Sequence, residues 1–234
     1  MKFIGDYKVN EEQIIGQGTF AKVYEAEHTK TKHKSAVKDS VIKMNGVINV
    51  ELAKMAKREL EILRKPREHK NIVNFYDHYV NQDHWWIFLE LCDLKDLKAY
   101  LEKNPELDMK ACLKIMCDTT SGLAFMHNQT PQIVHRDINL KNILLKTEGT
   151  EIVAKLADFG SSKIFGERDV MITQYGNDFF SAPEISQDDE SEYNEMVDVF
   201  SLGLVFLVLI DKKRHKNLLP LSGKNKKKRC FVTH

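Results

Sequence analysis

Apolar and polar residues alternate along the first part of the chain. Residues 7–41 contain short runs rich in β-branched and aromatic side chains, such as 23–26 and 35–38, separated by glycine and charged residues. A period of two is typical of strands that bury one face. The pattern predicts an antiparallel sheet, and its first turn carries Gly16 and Gly18.

The spacing of apolar residues then changes to a helical period. Leucine and methionine recur with Lys, Arg and Glu between them, at Leu52, Met55, Leu60 and Leu63. This spacing predicts an amphipathic helix over residues 50–65 that carries Glu59 and ends at Pro66. Apolar runs at 72–76 and 85–90 predict two further strands.

The second half of the chain is rich in helical patterns. Helices are predicted over residues 94–103, 109–128 and 193–210, with a long non-helical segment among them. The apolar run 199–210 is too short to span a bilayer, so we expect a buried helix and no membrane association. The expected divisions of the chain are a smaller domain over 1–91, a larger one over 92–210 and a tail over 211–234.

Composition is that of an ordinary globular protein. Hydrophobic residues make up 42% and charged residues 29% of the chain, far from the composition of disordered proteins. The four cysteines contain no CxxC pair, and nothing in the first residues resembles a signal peptide. We therefore expect reduced thiols and a cytoplasmic protein.

Charge is unevenly distributed along the chain. The formal net charge is +1, but nine of the 35 Lys and Arg residues lie in 212–229, so residues 1–210 are acidic. The tail 211–234 is predicted to be disordered. Its run 224–229 is compatible with a nuclear localisation signal or a nucleic-acid patch, although a solvated tail without a nucleic-acid partner is the favoured interpretation.

Three polar residues in the non-helical segment indicate phosphate chemistry. Asp137 follows His135-Arg136, Asn142 lies five residues later, and Asp158 opens Asp158-Phe159-Gly160, twenty-one residues after Asp137. Asp158 and Asn142 supply hard oxygen ligands that suit Mg²⁺, which Mn²⁺ can replace. An acid and two hard oxygen ligands of this kind are compatible with phosphate chemistry that uses a metal ion.

Further motifs occur in a fixed order around these residues. A glycine-rich turn over 16–23, Ala36-Val37-Lys38 and Glu59 lie upstream, and Ala182-Pro183-Glu184 lies downstream. With this series, the chain resembles a eukaryotic-type protein kinase of the serine/threonine kind over residues 7–210. The resemblance implies an α+β, two-lobed fold, with a small antiparallel β-sheet lobe that carries one helix and a larger, mainly helical lobe.

The resemblance implies an ATP site between the two lobes. In the family, the counterpart of Lys38 binds the α- and β-phosphates and is positioned by the counterpart of Glu59. Leu89 matches the gatekeeper, so backbone groups of Glu90 and Cys92 are expected to bind adenine. The residues expected to contact the nucleotide are Ile15, Gly16, Gly18, Ala21, Val23, Ala36, Lys38, Leu89, Glu90, Cys92 and Leu144.

The resemblance also assigns catalytic roles, with two departures. Asp137 corresponds to the base that orients the substrate hydroxyl, and Asp198 to the residue that braces its loop. Serine/threonine members usually carry lysine where Asn139 stands and threonine where Asn177 stands. Lys141 can reach toward the γ-phosphate, as an arginine at that spacing does in many tyrosine kinases.

The resemblance implies regulation by phosphorylation and an unusual end to the domain. Thr173 lies at the family's activating position, and Arg136 with Lys163 is expected to bind its phosphate. The family's final helices have no counterpart after residue 210, so the larger lobe is expected to be incomplete at its C-terminus. A chaperone or partner that covers the run 199–210 is therefore expected.

These features predict an ATP-dependent protein kinase that phosphorylates a protein hydroxyl, with serine or threonine favoured. One alternative is a catalytically weak or inactive nucleotide-binding regulatory or scaffold protein, because of the two asparagines and the missing helices. A second alternative is a tyrosine-directed kinase, which Lys141 favours but the sequence 179–181 before Ala182 does not.

Overall fold

The structure is a computed structural model of the chain. It describes residues 1–18, 21–44, 46–64, 69–164, 179–186 and 194–211. The predicted two-lobed α+β architecture is confirmed, with a sheet in the N-terminal part and helices in the C-terminal part.

A six-stranded antiparallel sheet forms the smaller lobe. Its strands, in spatial order, are β1 (Lys2–Ile4), β2 (Tyr7–Gln17), β3 (Ala21–His28), β4 (Lys34–Val41), β8 (His84–Glu90) and β7 (Phe75–Val80). The glycine-rich turn joins β2 to β3, and β4 lies at the centre of the lobe beside β8. This arrangement places Lys38 and Glu90 on neighbouring strands, from which each contacts a residue of the second lobe, Asp158 and Lys146 respectively.

The strand β1 was not predicted, because its three residues are too few to show a period. It forms a hairpin with β2 that reaches the opposite edge of the sheet. Gly5 takes a φ of +54°, and a Cβ on it would overlap the ring of Tyr79 on β7. The Asp6 backbone N–H donates to the Tyr79 hydroxyl at 3.3 Å. Tyr7 stacks on Phe88 with ring centroids 3.9 Å apart. The sheet is therefore curled around an aromatic core.

One helix packs beside this sheet. A short hairpin, β5 (Lys43–Met44) and β6 (Val47–Ile48), leads into α1 (Val50–Arg64), which agrees with the predicted helix over 50–65. Asn49 caps α1, since its Oδ1 accepts hydrogen bonds from the backbone N–H groups of Glu51 and Leu52, each at 3.1 Å. The face of α1 that packs inward carries one charged residue, Glu59.

Helices and short strands form the larger lobe. They are α2 (Leu97–Lys103), α3 (Met109–His127), α4 (Met196–Ile210), the 3₁₀ turn Pro183–Ser186, the hairpin β10 (Ile143–Glu148) and β11 (Glu151–Leu156), and the pair β9 (Ile133–Val134) and β12 (Lys163–Ile164). Within the described ranges, no helix combines the length and apolar character that a membrane crossing requires.

Two helices begin three residues later than predicted. Asp96 accepts a hydrogen bond from the Ala99 backbone N–H at 2.8 Å and so fixes the start of α2 at Leu97. In α4, the Asn194 Oδ1 accepts a hydrogen bond from the Met196 backbone N–H at 3.0 Å. Tyr193, where this helix was predicted to begin, lies outside the described residues.

The two lobes join at a tightly packed segment before β7. The Asn71 backbone oxygen lies 2.6 Å from where a Cβ on Gly122 of α3 would stand, so only glycine allows this approach. Asn71 also accepts a hydrogen bond from Leu156 N–H, and its side chain donates to the Ala154 oxygen at 3.0 Å. This junction fixes the end of β11, and with it Asp158, beneath the smaller lobe.

Candidate active site

A largely buried lysine, whose side chain is 15% exposed, joins three elements at the floor of the cleft between the lobes. Lys38 on β4 donates to both carboxylate oxygens of Glu59 on α1, at 2.7 and 2.9 Å. Its ammonium also lies 2.8 Å from Oδ1 of Asp158, which follows β11. The sequence predicted the contact of Lys38 with Glu59, whereas the contact with Asp158 was not predicted.

Lys38, Glu59 and Asp158 form a lysine cluster. Charge pairing sets the direction of the pKa shifts of Lys38 and Asp158, whereas burial raises the pKa of Glu59. Burial alone would lower the pKa of Lys38, but the carboxylates of Asp158 and Glu59 outweigh it and raise that pKa. Desolvation would raise the pKa of Asp158, and the nearby ammonium of Lys38 reverses the direction and lowers it. Asp158 therefore remains ionised, with its side chain 48% exposed to the cleft.

A second group of polar residues holds Asp137 beneath this cluster. Asn139 donates to Oδ1 of Asp137 at 2.8 Å, and Asn142 donates to Oδ2 at 2.8 Å. Below them, the fully buried Asp198 on α4 accepts hydrogen bonds from the backbone N–H groups of His135 and Arg136, both at 2.7 Å. The expected bracing of the loop by Asp198 is therefore present as a direct contact.

Burial sets the ionisation of the carboxylate at the centre of the loop. Desolvation raises the pKa of Asp137 to about 6, against the opposing effects of His135 and the two asparagine amides. The ring of His135 is fully buried and makes a 3.1 Å hydrogen bond between its Nε2 and the Ala157 oxygen. Asp137 is thus the acceptor at the cleft surface, and His135 is a buried support.

The glycine-rich turn closes over the cleft through its own backbone. Gly16 pairs with Val23 across the β2–β3 hairpin. The Gly18 N–H donates to the Ala21 oxygen at 2.8 Å, so this N–H closes the turn instead of facing the cleft. The contact of Gly18 with the nucleotide stays a prediction. Residues 19–20 lie outside the described residues.

The apolar residues expected to contact adenine include members of β2, β4, β8 and β10. Ala36 and Leu89 face each other across the paired strands β4 and β8 and are both buried. Leu144 on β10 lies below them and is partly exposed, and Ile15 is partly exposed on β2. Their common contact with adenine stays a prediction.

Glu90 ends β8, where the segment that connects the two lobes begins. The Glu90 N–H donates to the Asn74 oxygen at 2.8 Å, so only the carbonyl of Glu90 remains for adenine. The Glu90 side chain is buried between two lysines of the larger lobe: Lys146 donates to it at 2.6 Å, and Lys155 lies 3.3 Å away. Cys92 is also buried, and burial raises the pKa of its thiol to about 12, which makes it a poor nucleophile.

The sequence matches one known protein family over nearly its whole length. The family model described as "Protein kinase domain" matches residues 9–230, nearly the whole chain. The chain belongs to the protein kinase domain family. The matched region extends past residue 210, where the sequence resemblance was expected to end.

Curated relatives of this kinase domain are larger proteins. The chain is 32% identical over 214 residues to Myosin-IIIa of Mus musculus, an alignment that covers 85% of this chain and 12% of that protein. It is 34% identical over 204 residues to the serine/threonine-protein kinase CLA4 of Candida albicans, covering 84% and 19%. It is 28% identical over 214 residues to the probable serine/threonine-protein kinase zyg-1 of Caenorhabditis elegans, covering 89% and 28%. The chain thus spans between 12% and 28% of the length of these relatives.

Two of the three predicted regulatory residues, Arg136 and Lys163, lie in the part of the kinase domain that the structure describes. Arg136 takes a φ of +66°, and its guanidinium donates to the backbone oxygens of Ser161 at 2.6 Å and Ser162 at 3.4 Å. Lys163 lies in β12, two residues from Ser161. Thr173 lies outside the described residues, as does Asn177.

The residues present fit a divalent metal ion that is shared with phosphate. Both hydrogen bonds of the Asn142 side chain use its nitrogen, which leaves the amide oxygen as the hard ligand. Among the described residues, no group of three His, Cys, Asp or Glu side chains is placed to hold a metal alone. Asp158 and Asn142 therefore supply two oxygens, and phosphate oxygens and water would have to complete the coordination.

Sequence reasoning missed several residues that support the site. His127 at the end of α3 lies 2.8 Å from Oδ2 of Asp198, and Lys146 and Lys155 hold Glu90. No short motif carries these contacts, because they join residues 56 to 71 positions apart. Lys141 is exposed, and Asn139 holds its backbone N–H at 2.8 Å.

Proposed function

We propose that this kinase domain transfers the γ-phosphoryl group of ATP to a serine or threonine hydroxyl of a protein. The observation that carries the proposal is the convergence of two clusters on one cleft. Lys38 lies 2.7 Å from Glu59 and 2.8 Å from Asp158, while Asp137 presents a carboxylate held on both oxygens. An inactive scaffold would not need this complete set.

The residues of this chain have distinct tasks in such a transfer. Lys38 neutralises phosphate charge on the nucleotide, and Glu59 fixes its position. Asp137 accepts the hydrogen of the substrate hydroxyl and aims its oxygen at the γ-phosphorus. A new O–P bond forms to the substrate, the bond between the γ-phosphorus and the bridging oxygen breaks, and ADP leaves. The proton on Asp137 then passes to solvent.

A divalent cation, Mg²⁺ or Mn²⁺, fits the oxygen ligands of Asp158 and Asn142. Such an ion neutralises the charge of phosphate oxygens during transfer. Asp158 is suited to this role because its lowered pKa keeps it ionised and its carboxylate is half exposed. The identity of the ion is part of the proposal and is tested by comparing the two cations.

The preference for serine or threonine is supported by the relatives. CLA4 and zyg-1 are both described as serine/threonine-protein kinases, zyg-1 as a probable one. Tyrosine specificity would rest on Lys141 alone, whose side chain is exposed. Phosphoamino-acid analysis of a labelled general substrate distinguishes the two outcomes.

Substitution of the two acidic residues tests the proposed reaction. Asp158→Asn and Asp137→Asn should each lower transfer from ATP by at least about a thousandfold, because each removes an interaction made in the transition state. Asp6→Asn is the matched control, since Asp6 is exposed and distant. If both variants transfer phosphate at the unmodified rate, the observed activity belongs to a contaminant and the proposal fails.

Three further expectations remain proposals. Arg136 and Lys163 would bind the phosphate group of phosphorylated Thr173. A Thr173→Ala variant with unimpaired transfer would contradict this.

A chaperone or partner would cover α4, whose exposed apolar side chains include Val199 and Leu207. A monodisperse monomer in light scattering argues against such a partner. A cytoplasmic location, or a nuclear one directed by 224–229, is tested by imaging the tagged chain.

A further inference from the structure

Asn139 is almost entirely enclosed by the loop that carries the catalytic carboxylate. Only 5% of the surface of Asn139 is exposed. Its Nδ2 donates to the Asp137 backbone oxygen at 3.1 Å and to the Asp137 Oδ1 at 2.8 Å. Its Oδ1 accepts the Lys141 N–H at 2.8 Å. Every polar atom of the amide is therefore used within five consecutive residues.

These contacts define the orientation of the amide. If the amide were reversed, its oxygen would face the carboxylate and its nitrogen would face an N–H donor, so both contacts would become repulsive. The side chain must therefore donate on one side and accept on the other. Lysine at this position could donate to Asp137 but could not accept from Lys141.

The hydrogen bonds of Asn139 and Asn142 act on opposite oxygens of one carboxylate. The χ2 torsion of an aspartate is broad and weakly restricted by its own rotamer preference. One donor at 2.8 Å on each oxygen removes that freedom. Each oxygen retains a lone pair that can accept the hydrogen of a substrate hydroxyl.

We propose that Asn139 is a positioning residue that holds the Asp137 carboxylate in its reactive orientation through a hydrogen bond from an uncharged donor. This inference rests on the proposed kinase function. Since the amide carries no charge, it orients Asp137 without adding a cation near the transferred phosphoryl group. Misplacement of a catalytic group by about 1 Å can cost about a hundredfold in rate. Asn139 should therefore act on kcat and leave the KM for ATP unchanged.

Two isosteric substitutions separate this role from general loss of structure. In Asn139→Asp, the acceptor for Lys141 is kept and the donor to Asp137 is replaced by a repelling oxygen. Asn81→Asp is the matched control, since the Asn81 Oδ1 only accepts, from the backbone N–H groups of Asp83 and His84 at 2.8 Å. We expect kcat to fall by about a hundredfold in Asn139→Asp, with KM for ATP within about threefold, and no change in Asn81→Asp.

A double-variant cycle with Asn139→Ala tests whether the effect passes through Asp137. In the wild-type background, Asn139→Ala should lower kcat by at least about tenfold. In the Asp137→Asn background, the same substitution should have no further effect, because no carboxylate remains to be positioned. A purely structural role would lower the rate in both backgrounds, and it would lower the melting temperature in proportion.

The outcomes separate this inference from the proposed function. A wild-type domain that transfers no phosphate overturns the proposed function and the inference with it. An active wild type with unimpaired Asn139→Asp and Asn139→Ala variants overturns the inference alone, as does a loss confined to KM for ATP. If Asn139→Asp does not fold, the Asn139→Ala cycle decides.

Discussion

Two polar clusters meet in the cleft, and they are built in different ways. The lysine cluster joins Lys38, Glu59 and Asp158, which are up to 120 positions apart and interact through full charges. The loop cluster, Asp137, Asn139, Asn142 and Asp198, is held mainly by neutral amide and backbone donors, and three of its four members lie within six consecutive residues.

This difference separates what must assemble from what is already in place. The lysine cluster forms only when β4, α1 and the segment after β11 are all positioned, so it depends on the junction of the two lobes. The loop cluster joins one turn and α4, with one further contact from His127 on α3. Displacement of β4 or α1 would therefore break the lysine cluster, whereas the hydrogen bonds of Asn139 and Asn142 with Asp137 lie within one loop.

Removal of the Lys38 ammonium from the lysine cluster should have the largest effect on stability and activity. Lys38→Met leaves Glu59, which is 2% exposed, as a buried acid without its cation. Breaking a buried pair in this way costs about 3–5 kcal/mol. We expect chemical denaturation to show a loss of that size, together with loss of phosphoryl transfer.

A second substitution shows whether the loss comes from the unpaired acid. In Lys38→Met with Glu59→Leu, most of the stability should return while transfer remains absent, because the buried charge is gone. Lys57→Met is the control, since its pair with Glu61 is exposed and 3.7 Å long. Equal stability of Lys38→Met and the wild type would show that the lysine cluster contributes no net stability.

The loop cluster should instead reveal itself through pH. A carboxyl whose pKa rises on folding binds its proton more tightly in the folded state. The resulting stability is fully present below the unfolded pKa of about 3.9 and is lost as the pH rises through about 6, the folded pKa of Asp137. After allowance for the partial exposure of Asp137, the free energy of unfolding changes by about 2 kcal/mol over this pH range.

Comparison of Asp137→Asn with the wild type isolates this ionisation. The stability of the variant relative to the wild type should increase between pH 4 and pH 7, as ionised Asp137 destabilises the wild type alone. Lost hydrogen bonds in the variant add an offset that does not change with pH. A difference that stays constant over this range would show that the pKa of Asp137 is not raised.

The sequence predicted residues whose spacing is local and missed those that act across the fold. The order of Asp137, Asn142 and Asp158 revealed the site, because each falls in a short motif. The helix over 50–65 was predicted within one residue of its observed end, since its apolar period runs over four turns. These predictions required no knowledge of distant contacts.

Long-range contacts account for what could not be predicted. The sequence around Glu90 does not indicate that its side chain points away from the cleft, because its partners Lys146 and Lys155 lie more than 50 positions away. The strand β1 is too short to show a period, and its position depends on Tyr79 at the opposite edge of the sheet. Asn139 was identified by its departure from the family, but its three bonds are visible only in the structure.

The smallest expected effect tests how far the loop cluster extends. His127 on α3 supplies the third contact to the buried Asp198, at 2.8 Å, beside the two backbone donors of the loop. Removal of one hydrogen bond to a buried carboxylate costs about 1–2 kcal/mol. His127→Ala should therefore lower stability by about that amount and slow transfer only modestly, since both backbone donors still hold Asp198. His127→Gln, whose amide can donate in the same direction, should recover part of the loss. A loss of transfer as large as that of Asn139→Asp would show that α3, and not the loop itself, sets the orientation of Asp137. In that case the loop cluster would depend on distant elements as much as the lysine cluster does.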